Sequence, residues 1–151
     1  MIKAQEILES KYNVSADVWS VTSYTELYRE GHACERWNML HPGETPRVPY
    51  VTQCLDGRAG RARSPRPTTS RRCPIRSTAG CRGRSRALGT DGFGRSETRA
   101  ALREFFEVDY RYVIVATLAA LARDGKIDAS VVAEAIKAHD VNPEKANPAV
   151  S

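Results

Sequence analysis

Apolar and polar positions follow two periods along this chain. From Ala4 to Tyr12, Ile7 and Leu8 fall on one side and Glu6, Glu9 and Lys11 on the other, which is helical spacing. The pattern opens at Met1 with no capping residue ahead of it. Ala16 to Thr22 is short and rich in β-branched and aromatic residues (Val18, Trp19, Val21) and predicts a strand. Thr25 predicts the cap of a second helix, Glu26 to about Leu40, with Leu27, Cys34, Trp37 and Leu40 near helical spacing. Pro42, Pro46 and Pro49 bracket a loop, and Val48 to Leu55 reads as another strand.

Strand, helix, loop and strand in succession form an α/β rhythm, which predicts a parallel or mixed sheet covered by helices. The rhythm stops at Gly57 and resumes with the strand-like run Ala87 to Thr90. A turn at Asp91-Gly92-Phe93-Gly94 leads into a helix capped by Ser96, with Leu102, Phe105 and Phe106 as its apolar stripe. Asp109 to Arg123 predicts a strongly apolar helix closed by Asp124-Gly125. Asp128 predicts the cap of a last helix that turns Val132 and Ile136 inward, and the tail from Asn142 reads as extended. The chain therefore divides into residues 1–57 and 87–151, two parts of one domain, around an interrupting segment at 58–86.

Charge explains why that segment interrupts. Ten of the 23 basic residues lie in 58–86, which has no Asp or Glu, so the other 13 stand against 18 acids and the rest of the chain is mildly acidic. The segment holds a single large aliphatic residue, Ile75, and no aromatic one. Such a stretch cannot bury enough apolar surface to offset its ordering entropy, and disorder is expected. Two readings compete. One is a basic arm that binds phosphate backbones, with nucleic acid as its partner. The other is a compensated frameshift, because arginine, proline, glycine and serine are what a GC-rich gene yields out of frame. Codons allowed for Pro67 to Gly83, read one base earlier, can spell DYIKALPDSIDRWLPG, a helix-like peptide with charges of both signs and a tryptophan.

Length and composition bound the rest. At 151 residues, 41% of them apolar, the chain suits one domain with a true core. No run reaches the roughly 18 apolar residues of a membrane span; Tyr112 to Ala122 is too short, and the charged start does not suit a signal peptide. A soluble, cytoplasmic chain is the expectation. Cys34, Cys54, Cys73 and Cys81 form no C-x-x-C pair, so no metal site is assigned. His32, His41 and His139 lack a neighbouring nucleophile and are read as structural, with His139 exposed at a helix end where it meets the dipole. Asp91, Phe93, Arg95 and Ser96 are the candidate contact residues. Their glycine-rich turn and the helix start behind it suit an anion or an interface, although a plain turn and cap explains them too.

Three stretches carry a resemblance: AQEILESKYNVSADVWSVTSYTELYREGHACERWNMLHPGETPRVPYV, LGTDGFGRSETRAALREFFEVD and DGKIDASVVAEAIKAHDVNPEKANP. ERWNMLHP and GTDGFGRS are the specific motifs. Together they resemble the C-terminal domain of homodimeric-type pyruvate dehydrogenase first components, transketolase-like enzymes that use thiamine diphosphate. The out-of-frame peptide is similar to this family too, which supports the frameshift. The resemblance implies a three-layer α/β domain with a mostly parallel sheet. A glycine-containing strand and half a helix precede Lys3-Ala4-Gln5 in the family, so the sheet is expected to lack its first strand, and a stable monomer is not expected. In the family, thiamine diphosphate and Mg²⁺ are held by two earlier domains, where pyruvate loses carbon dioxide and its acetyl unit passes to a lipoyl group. No G-D-G run followed by N-N, the usual signature of that pocket, occurs here. The chain is therefore expected to bind no cofactor or metal and to hold no catalytic residue. Its implied partners are a second subunit and the dihydrolipoyl acetyltransferase.

Overall fold

The computed structural model describes residues 1–55, 63–68, 85–89 and 94–148. Its elements are α1 (Ile2–Tyr12), α2 (Tyr24–Leu40), α3 (Tyr50–Leu55), β1 (Arg63–Thr68), β2 (Ser85–Gly89), α4 (Arg99–Phe105), α5 (Tyr110–Arg123) and α6 (Ala129–Ala138). No helix among the described residues is long and apolar enough to cross a membrane.

Helix α5 organises the core. Val113, Ile114, Ala116, Thr117, Leu118 and Ala120 are all buried, so burial extends round most of the helix instead of following one stripe. The Asp109 carboxylate starts the helix by accepting from the backbone N–H groups of Arg111 and Tyr112. Gly125, at φ 69°, ends it, and the following Lys126 N–H reaches back to the Leu121 carbonyl. Thr117 satisfies its buried hydroxyl by donating to the Val113 carbonyl at 2.7 Å. Helix α5 packs against α1, α6 and β1. Ala4 and Leu8 of α1, Leu88 of β2 and Ala135 of α6 complete the buried cluster, with Val132 packed against it.

Strands β1 and β2 pair in parallel, Arg66 opposite Ala87 and Thr68 opposite Gly89. Regular backbone thus occurs at both ends of the arginine-rich stretch. Residues 56–62, 69–84 and 90–93 lie outside the described set, and with them most of that segment and the turn at 91–93.

Several expected elements differ. Residues 16–22 form no strand: Val18, Trp19 and Val21 are 39%, 50% and 36% exposed. Branched side chains favour a strand only where a ladder and a covering face receive them. Residues 48–55 are not a strand either, because α3 occupies Tyr50–Leu55. The Pro49 carbonyl accepts from Thr52 and Gln53, and the Glu30 carboxylate receives the Tyr50 N–H at 3.0 and 3.1 Å. A proline whose φ already suits a helix start marks α3 better than the β-branched residues mark a strand. Ser23, not Thr25, caps α2, and Thr98, not Ser96, caps α4. The tail folds back: Pro148 is buried, and the Lys145 ammonium donates to the Glu104 and Phe105 carbonyls at 2.6 and 2.8 Å.

Candidate functional site

Around the predicted motif, the lead-in Gly94–Thr98 runs exposed into α4. Asp91 and Phe93 lie outside the described residues, so of the four candidates the structure places Arg95 and Ser96. The Arg95 guanidinium lies 4.5 Å from the centroid of the Phe105 ring, a cation–π contact that ties the lead-in to the end of α4. Ser96 is exposed and caps nothing. Thr98 accepts the Ala101 N–H instead, so the helix starts two residues later than the sequence predicts.

Lead-in and helix together border an open groove of about 450 Å³. Leu102, Phe106 and Val108 supply its apolar surface, and Arg95, Arg99, Arg103 and Glu97 its charges. Three described acids nearby have partners. The Glu97 carboxylate accepts the Thr98 N–H at 2.8 Å. Glu104 pairs with Arg111 at 3.3 Å, and Arg111 also grips Asp109 at 2.6 Å. That hydrogen bond to Asp109 is the main reason the Arg111 guanidinium holds its proton above its ordinary value. The groove is thus basic and apolar together, and Arg99 and Arg103 carried no signal in the sequence beyond their spacing of four.

Each histidine meets a neighbouring side chain. His32 pairs with Glu35 at 3.1 Å and meets Tyr28 edge-on. His41 stacks on Trp37 at 4.4 Å, and Arg47 covers the same indole at 4.1 Å. His139 corrects the expectation of an exposed helix end: it is buried, and its Nε2 lies 3.1 Å from the Tyr12 hydroxyl of α1. Desolvation, then Lys11 and Arg111, push its pKa below the ordinary 6.5.

Cys34 is buried and its thiol donates to the Glu30 carboxylate at 3.2 Å; burial first, then Glu30, raise its pKa, which makes it a poor nucleophile. Cys73 and Cys81 lie outside the described residues. Among the described residues no three His, Cys, Asp or Glu side chains gather to hold a metal ion. Among the described residues, the surface beside α4 is an open groove that is apolar within and charged at its border.

The comparisons with known proteins agree on one relationship. A family model of the transketolase-like TK C-terminal domain matches residues 1–109. The pyruvate dehydrogenase E1 component of Escherichia coli is 49% identical over 146 residues, covering 97% of this chain and 16% of the relative. The Pseudomonas aeruginosa relative of the same name is 46% identical over 147 residues, with 97% and 17% covered. That of Mycolicibacterium smegmatis is 44% identical over 144 residues, with 93% and 15% covered. The chain spans 15–17% of the length of these relatives.

Proposed function

The chain belongs to the transketolase-like C-terminal domain family, and on that premise we propose that it is the C-terminal structural part of a cytoplasmic, thiamine-diphosphate-dependent pyruvate dehydrogenase first component. The observation that carries this reading is the 49% identity running through 97% of the chain to a relative of which it covers 16%. In the parent enzyme, pyruvate would be decarboxylated and its acetyl unit delivered to the lipoyl group of the dihydrolipoyl acetyltransferase. When bound, the cofactor supplies the carbanion that attacks the keto carbon. The cofactor pocket is assigned to the preceding part of a longer chain, and this chain catalyses nothing alone.

The role left to it is packing and dimerisation. The ladder of β1 and β2 fits a larger, mostly parallel three-layer sheet, and the apolar side chains left exposed on α2 and α3, Met39, Leu40 and Tyr50, fit burial in an assembly. Residues 58–86 are the product of a compensated frameshift within that domain.

Grafting tests this. The matching C-terminal residues of the Escherichia coli relative are replaced by this chain, once as given and once with DYIKALPDSIDRWLPG at the corresponding place. The frame-restored graft should dimerise and release carbon dioxide from pyruvate with thiamine diphosphate and Mg²⁺. The 151-residue chain alone should release none. A frame-restored graft that stays monomeric, or turnover by the isolated chain, would sink the reading.

A further inference from the structure

We propose that the groove beside α4 is a docking site for an acidic, amphipathic peptide segment of a partner protein. Its floor is apolar, formed by Leu102, Phe106 and Val108, while Arg99 and Arg103 stand exposed at its border. A spacing of four puts these two side chains on one face of the helix, about 6 Å apart at Cβ. No acidic side chain pairs with either among the described residues, because Glu97 is held by the Thr98 N–H and Glu104 by Arg111. Two guanidiniums with no acidic partner among the described residues, on an apolar strip, call for carboxylates at matching separation with an apolar side chain between them. Guanidinium forks bind carboxylates in two-pronged geometry, which gives register as well as attraction.

A nucleic-acid strand fits less well. The apolar floor gives a phosphate backbone nothing to bond, and Phe106 is 8% exposed and offers no stacking face. The source of the proposal is this groove alone; it does not depend on the arginine-rich segment or on the parent enzyme's chemistry.

Fluorescence anisotropy on the 151-residue chain provides the test, with three labelled probes: an amphipathic helical peptide of glutamate and leucine, the same peptide with lysine for glutamate, and a single-stranded oligodeoxynucleotide. The glutamate peptide should bind best and weaken as salt rises. Arg99→Gln with Arg103→Gln should weaken it about tenfold, while Arg99→Lys with Arg103→Lys should keep most of the affinity. Far-UV circular dichroism should be unchanged in both pairs, since both side chains are exposed. The proposal is overturned if the glutamate peptide does not bind, if the lysine peptide or the oligonucleotide binds as tightly, or if the glutamine pair leaves affinity unaltered.

Discussion

His139 and Tyr12 lie 127 positions apart and share one hydrogen bond, so a contact invisible to local pattern joins the first helix to the last. The sequence placed His139 at a helix end, correctly, but burial is a tertiary property that no neighbouring residue announces. Burial first, then Lys11 and Arg111, disfavour its charged form, and Asp109 partly offsets them. The unfolded chain takes up a proton near the ordinary pKa of 6.5 that the folded chain resists. This contribution to stability is therefore complete above that value and is lost as pH falls below it towards the depressed native value. Urea unfolding at about pH 7.5 and about pH 5.5 should show a loss that His139→Gln reduces. An identical slope in the variant would refute this. Tyr12→Phe should cost about 1 kcal/mol near neutral pH, the net worth of one hydrogen bond. Asp109 was legible as a helix start, because a short acceptor ahead of an apolar run is a strong local signal. Asp109→Ala removes the acceptor of two backbone N–H groups and a partner of Arg111, and should lower stability by about 1–2 kcal/mol in thermal unfolding.

Among the elements, the periodic helices were legible and the short runs were not. Helices α1, α2, α5 and α6 carry several turns of patterned residues, and each lies close to its expected span. The two misplaced strands, 16–22 and 48–55, are runs of seven or eight residues whose branched side chains suit a sheet that no described strand provides at those positions. Caps moved by two residues because Ser23 and Thr25, or Ser96 and Thr98, offer the same chemistry. The groove was legible only in part: the motif drew attention to Arg95 and Ser96, while Arg99, Arg103 and the apolar floor follow from how α4 lies. Packing separates the helices further. Ile114 and Leu118 of α5 are fully buried, whereas Met39 of α2 is 70% exposed. Leu118→Ala should cost about 2–5 kcal/mol, and Met39→Ala should stay within about 0.5 kcal/mol in this chain. Denaturant midpoints that moved equally for the two would contradict α5 as the centre of the core. Lys145→Met should loosen the tail, seen as faster amide exchange at the end of α4, because the ammonium no longer meets the Glu104 and Phe105 carbonyls.

For the whole molecule, residues 58–86 stand apart in composition, with ten arginines and no Asp or Glu. The buried cluster draws on α1, β2, α5 and α6, while α2 and α3 pair with each other and contribute none of it. A domain with that division fits a part whose remaining contacts lie in a larger assembly, as proposed from relatives about six times its length. The most direct test is to read the coding DNA from well upstream of the Met1 codon through the codon for Leu88. The account predicts an upstream frame that continues into the rest of a pyruvate dehydrogenase first component, with a base change near codon 58 offset by another near codon 87. DNA that encodes residues 58–86 as they stand, with no continuing frame upstream, would contradict it.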